Sequence, residues 1–363
     1  MKQFKKFFGS IKLTVLLLVL LFFLILFATF AQVDLGIYEA NKKYFTSWFV
    51  WLHTSSISFP IFLGGFSIGL LLVINLITSH VTNFRFKKNY SGIFLIHFGL
   101  ILIILGSAFT AWFGSEMQIA IEESSAKRFV EYPTDFELVI IDQSQKTVDI
   151  IHSISLSDLK SEKIMDSLEI IIHDYYPNAF VNQRGIINKK YDEFGHDFKL
   201  IPLPKTYEMD KKNVPGIDLT FIFKGNDVGR FIFWGGMDIY QELSLDNLDF
   251  LVSVRPKRLY LPFSVQLNDF RKQNYDLSAV VESYESDVTI QNEHGSFDTT
   301  ISMNKPLRHK GFTFFQASFS DDEITSVFQV VKNPSWLIPY ISSTLIVLGL
   351  LIQMMQSMKR KQS

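Results

Sequence analysis

Apolar residues in this chain follow two rhythms. Four runs are long and continuous: Leu13–Ala31, Phe59–Ile77, Gly92–Phe113 and Trp336–Met355. A helix needs about 20 apolar residues to cross a bilayer, so each run predicts a transmembrane α-helix. Between the third and fourth runs the rhythm shortens to blocks of β-branched and aromatic residues. Phe136-Glu-Leu-Val-Ile-Ile, Leu168-Glu-Ile-Ile-Ile-His, Ile217-Asp-Leu-Thr-Phe-Ile-Phe and Leu261-Pro-Phe-Ser-Val-Gln-Leu read as strands. Pro177-Asn178, Gly225-Asn226-Asp227 and Asn292–Gly295 read as turns between them. A helix longer than a few turns is expected here only around Leu156–Asp166. The pattern predicts a membrane protein with four transmembrane α-helices and a large extracytoplasmic β-rich domain between helices three and four. Its parts are a three-helix region at 1–113 (about 13–31, 59–77 and 92–113), the β-rich domain at 114–334, and a last helix with a basic tail at 335–363.

Charge sets the expected orientation. Lys2, Lys5, Lys6 and Lys12 precede the first run, Arg85, Lys87 and Lys88 separate the second from the third, and Lys359, Arg360 and Lys361 follow the fourth. Basic short loops stay in the cytoplasm, which puts both termini inside and residues 32–58 and the β-rich domain outside. Trp48, Trp51, Trp112, Trp336 and Tyr340 then fall near the outer interface, as an aromatic belt would. The first run is longer than a signal-peptide core and is read as an uncleaved anchor, although Thr29-Phe30-Ala31 is a passable cleavage sequence.

Composition narrows the chemistry. The 363 residues carry a net charge of -1, which gives no reason to expect nucleic acid as a partner. There is no cysteine, so the chain holds no disulfide, thiolate metal site or CxxC redox pair.

One ionisable side chain stands inside a span. From Gly92 to Gly106 every other residue is apolar, yet position 97 is histidine. Lipid offers an imidazole no partner, so such a residue marks a functional site by default; imidazole also ligates metals and haem iron. Gly92, Gly99 and Gly106 recur every seven residues and line one side of the helix, where another helix can approach closely. His97 points nearly the opposite way, among Ile93, Phe94, Leu100 and Ile101. It lies roughly 7–8 Å from the cytoplasmic end, at 1.5 Å per residue. A hydrogen bond to a Ser, Thr or backbone carbonyl of a neighbouring span is the alternative to a ligand role. His80, at the cytoplasmic edge of the second span, is a possible second ligand or an interfacial residue. His53, beside Trp51, is a possible outer ligand or a structural interfacial residue. Gly65 and Gly69 form a GxxxG pair suited to helix packing. His152, His173, His196, His294 and His309 are scattered without metal-site spacing, and Asp321-Asp322-Glu323 reads as a solvated acidic turn. No nucleophile elbow, phosphate loop or carboxylate constellation appears, so no catalytic residue is expected.

Five further stretches belong together: Ser10-Ile-Lys-Leu-Thr-Val-Leu-Leu-Leu with Ala28-Thr-Phe-Ala-Gln32, the span with Ile96-His97-Phe-Gly and Leu105-Gly106, Trp112-Phe-Gly-Ser-Glu116, His173-Asp-Tyr-Tyr-Pro-Asn-Ala179, and Met303-Asn-Lys-Pro-Leu-Arg-His-Lys-Gly311-Phe-Thr-Phe-Phe-Gln316-Ala-Ser318-Phe. In their order along the chain they resemble the ResB family of cytochrome c biogenesis proteins. The last is similar to the family's N-x-P-L…G-x-x-x-[YF]-Q-x-S signature. The resemblance implies a subunit of the system II cytochrome c synthase complex in the bacterial cytoplasmic membrane. Such a subunit works with a ResC/CcsA-type membrane protein, binds haem b as transported substrate, and helps move it outward for attachment to apocytochrome c. It also implies that His97 is an axial ligand of the haem iron, opposite a partner histidine. The chain has 5 dispersed Trp and no Trp-rich segment, so it would not be a synthase by itself. Within the signature, Asn304, Pro306, Leu307 and Gly311 are expected to shape a turn. The alternative function is a cofactor-free membrane scaffold that docks the partner or the apocytochrome.

Overall fold

The computed structural model describes residues 2–362 apart from 54–56, 85–89, 144–149, 161–162, 166–167, 207–211, 246–247, 276–280 and 322. Arg85, Lys87, Lys88, Asp166 and Asp322 lie outside the described residues. The chain forms two compact units, Met1–Ser115 with Lys332–Ser363, and Glu116–Val331.

The first unit begins with α1 (Lys2–Phe8), α2 (Ile11–Ala40), a hairpin of β1 (Phe49–His53) and β2 (Ser58–Leu63), α3 (Gly65–Ser79) and α4 (Ser91–Phe113). Among the described residues four helical segments are long and apolar enough to cross a membrane: Ile11–Phe45, Gly65–Thr82, Ser91–Phe113 and Ile338–Met358. The first outruns its expected end at Ala31, breaking only at Gly36 (φ 69°) and closing in a π-helical turn at Asn41–Phe45. The second begins later than the apolar run. Phe59–Leu63 pairs with β1 instead, because Pro60 cannot donate within a helix and Gly64 seats its backbone against Ser47. The Trp48 carbonyl then accepts from the Gly64 N–H at 2.9 Å and from the Ser67 hydroxyl at 2.5 Å, fixing the start of α3. Residues 32–58, between the first two apolar runs, are thus largely helix and hairpin among the described residues. Buried Asn75 joins α3 to the chain's beginning. Its Nδ2 donates to the carbonyls of Phe8 (2.6 Å) and Ser10 (3.2 Å), and its Oδ1 accepts from the Thr14 hydroxyl (2.7 Å). An amide satisfied on both sides is tolerated in an apolar environment.

The second unit is β-rich. Its strands are β3 (Ser115–Glu122), β4 (Ala126–Asp142), β5 (Ile150–Ser155), β6 (Lys163–Met165), β7 (Leu168–Tyr176), β8 (Ala179–Gln183), β9 (Phe198–Pro202), β10 (Gly216–Phe223), β11 (Asn226–Trp234), β12 (Gln241–Leu245), β13 (Leu248–Asn274), β14 (Val281–Asn292), β15 (Gly295–Ser302), β16 (Leu307–His309), β17 (Phe312–Phe319) and β18 (Thr325–Lys332). A short helix, α5 (Phe194–Asp197), precedes β9, and α6 (Ile338–Gln362) ends the chain. The described part of Leu156–Asp166 is turn and β6 rather than helix. The main sheet runs β15-β14-β13-β4-β3-β18-β17-β16, with β12 on β13 and β5 on β4; a second sheet runs β11-β10-β7-β6.

Two cores result, and the same two strands thread both. Phe136, Leu138 and Ile140 of β4 with Phe250, Val252 and Val254 of β13 pack on Ile217, Leu219 and Phe221 of β10. Farther along, Val130 of β4 with Leu261, Phe263, Val265 and Leu267 of β13 packs on Val288, Ile290, Phe314 and Phe328. The expected turns are present. Phe223 pairs with Asn226 across Lys224 (φ 51°) and Gly225 (φ 82°), a two-residue turn that needs left-handed backbone at both central positions.

His309 is half-buried at the edge of the second core, its ring 4.7 Å from that of Phe263 and 5.4 Å from that of Phe297. Burial, with Lys310 beside it, holds its pKa below the ordinary histidine value. The unfolded chain then binds the proton more readily, so stability should be full above about pH 6.5 and fall as pH drops below it. Thermal unfolding of the full chain in detergent, followed by β-sheet circular dichroism, should show this slope. His309→Phe should flatten it.

Candidate functional site

Helix α4 has two faces with different work. Gly92, Gly99 and Gly106 are its buried residues, and all three meet α6. A Cβ added at Gly92 would lie 2.6 Å from the Gln353 amide nitrogen. At Gly99 it would lie 2.6 Å from Ile346 Cγ1 and 2.9 Å from the Ser342 carbonyl oxygen. The seam is pinned at both ends. Gln356 Nε2 donates to the Ser91 hydroxyl at 2.8 Å, and the hydroxyls of Thr110 and Ser335 are 2.6 Å apart. Gly99→Leu should therefore push α6 away. Overpacking costs about 1–3 kcal/mol in ordinary cores, and here the nearest obstacle includes backbone. Crosslinking between cysteines placed on α4 and α6 in an otherwise native chain should drop in the Gly99→Leu variant.

The opposite face carries the imidazoles. His80 caps α3, its N–H donating to the carbonyls of Leu76 and Ile77, and opens a π-helical turn at His80–Phe84. Its Nε2 lies 2.8 Å from Nδ1 of His97, with ring centroids 4.8 Å apart and planes at 74°. Phe94, one turn before His97, meets the His80 ring edge-on at 5.6 Å and stacks on Phe98 at 6.0 Å. Both phenyl groups stay exposed, 36% and 42%. Nearby, a Cβ on Gly69 would reach Ile104 of α4 at 3.3 Å, whereas Gly65 packs on Phe45, so the GxxxG pair serves two contacts.

Of the three histidines singled out, the structure joins His80 to His97. His53 ends β1 opposite Ser58, before α3 begins. About 22 Å of helix, at 1.5 Å per residue, separates it from His80. Among the described residues no three His, Asp or Glu side chains gather as a metal-ion cage. At the other end of the span, Phe66 touches both Trp48 (5.7 Å) and Trp112 (5.3 Å), so these two tryptophans share one end of the bundle. Nothing in the sequence spacing pointed to Asn75, and its role comes only from the packing.

The signature in the β domain is structural in its contacts. Lys310 (φ 45°) and Gly311 (φ 84°) make the two-residue turn that pairs His309 with Phe312, and Ser302 bridges to Lys305 across Asn304. Buried Gln316 accepts from the Ser286 hydroxyl at 2.8 Å and donates to that of Ser326 at 2.7 Å, while Ser286 and Ser326 lie 2.8 Å apart. These three tie β17, β14 and β18 together. Residues 229–327, which hold this whole network, match the family model described as ResB-like family. Over that stretch the chain is similar to the ResB-like family. The ResB-like match runs from within β11 to β18. The chain is also similar to Protein NrfI of Wolinella succinogenes, 24% identical over 338 residues that cover 92% of this chain and 33% of NrfI. It thus spans about a third of that relative's length.

Proposed function

We propose that this ResB-like chain acts in cytochrome c biogenesis as the haem-handling subunit of a system II synthase complex. In this reading it lies in the bacterial cytoplasmic membrane with both termini inside and the β domain outside. It receives haem b in the membrane at His97 and helps pass it outward to apocytochrome c, together with a ResC/CcsA-type partner.

The observation that carries the reading is the imidazole pair on α3 and α4, flanked by two exposed, parallel phenyl rings. A porphyrin needs a nitrogen ligand and a flat apolar wall, and the donor set fits that chemistry. The opposite face of α4 is already committed to α6. Haem supplies the reactive vinyl groups. Each apocytochrome cysteine S–H adds across one vinyl, sulfur to one carbon and hydrogen to the other, so the step needs no oxidant. This chain has no cysteine and contributes binding and orientation.

The test is an absorption spectrum of the full-length chain purified in detergent, alone and with its partner. A Soret band that disappears with His97→Ala supports the reading. An unchanged band in that variant contradicts it.

A further inference from the structure

We infer that His80 is a positioning residue for His97, orienting it through Nδ1 so that Nε2 is the nitrogen offered to iron. The inference rests on the haem reading and adds a residue and a hydrogen bond to it.

Distance decides against the simpler idea that the two histidines share one iron. A metal–imidazole bond is about 2.0–2.1 Å, so two nitrogens on opposite sides of a metal stand about 4 Å apart. Nε2 of His80 and Nδ1 of His97 are 2.8 Å apart, a hydrogen-bond separation with no room for an ion between them.

The hydrogen bond then has two possible senses. If His80 Nε2 donates, a neutral His97 keeps its own proton on Nε2 and offers no lone pair there. If His97 Nδ1 donates, its lone pair is on Nε2 and the ring is a ligand. Only the second sense makes His97 competent, and it follows the habit of metal-bound histidines, which donate their other N–H to a fixed acceptor. His80 is well placed as that acceptor. Its backbone is held at the end of α3 by Leu76 and Ile77, and Phe94 of α4 braces its ring from the same helix that carries His97. Both contacts lie within the membrane unit, so the arrangement needs nothing from the β domain.

The test uses the full-length chain in detergent or nanodiscs, with His80→Ala and His80→Gln. The glutamine carbonyl can still accept from Nδ1. In histidine-labelled chain without haem, ring nitrogen NMR should show His97 carrying its proton on Nδ1, with the signal identified by its loss in His97→Gln. His80→Ala should scramble that tautomer. In a hemin titration, His80→Ala should weaken binding 10–100-fold, the usual effect of removing such a supporting group, and shift the haem reduction potential. His80→Gln should restore most of both. Wild-type affinity, potential and tautomer in His80→Ala would overturn the inference and leave the haem reading standing. Conversion of a six-coordinate to a five-coordinate spectrum by His80→Ala would make His80 an axial ligand and overturn it too. Equal hemin binding by wild type and His97→Ala would instead bring down the haem reading, while the tautomer measurement still reports on the hydrogen bond.

Discussion

His97→Ala should empty the membrane unit of haem and leave cells without holocytochrome c. The expected loss is near complete, because on the haem reading the substitution would remove an iron–nitrogen bond that apolar burial alone does not replace. The fold should survive. His97 is only partly buried, and the α4–α6 seam lies on the glycine face away from it. Helical circular dichroism of the variant should match wild type while the Soret band falls to background. Imidazole added to a His97→Gly strain should return some haem, since a free ring can occupy the space left by the side chain. Normal cytochrome assembly in the His97→Ala strain would sink the haem reading and leave a scaffold that docks its partners.

The second large effect concerns stability. Arg255 and Glu137 face each other directly across β13 and β4, with Arg255 Nε 3.0 Å from Glu137 Oε1 and side-chain exposures of only 5% and 4%. The Tyr240 hydroxyl lies 3.2 Å from Nη1 of the same arginine. Arg255→Ala would leave a carboxylate buried without its counter-ion, which costs about 3–5 kcal/mol. Replacing both partners with apolar residues removes the charge along with its need for a partner, and such exchanges are often neutral. Arg255→Ala should therefore lower the unfolding temperature of the β domain sharply, measured in the full chain, and Glu137→Leu with Arg255→Met should regain most of it. A double variant as unstable as the single one would mean that the pair does more than balance charge.

Much of α4 was legible beforehand because a single apolar run, a seven-residue glycine spacing and one histidine are all local signals. The helix runs Ser91–Phe113 against an expected 92–113, and its glycines face α6. The strand blocks and turns were legible for the same reason. What was hidden depends on partners distant in the chain. Phe59–Leu63 is apolar enough for a helix, and periodicity alone does not separate a buried strand from a helix; pairing with Phe49–His53 decides it. Glu137 looks like the polar member of an alternating strand until Arg255 meets it from 118 residues away. His80 was visible as an imidazole at the end of the second apolar run, but a separation of 17 residues in the sequence carries no information about a 2.8 Å contact.

Strands β4 and β13 both run from one core of the β domain to the other, but between the cores their pairing skips, from Pro256–Phe136 to Arg258–Glu131 and from Tyr260–Phe129 to Val265–Lys127. Residues 132–135 of β4 and 261–264 of β13 cross the junction out of the β4–β13 register, so a bend between the two halves would fall there at little loss of ladder bonding. A load applied to one half would be taken up first at that stretch.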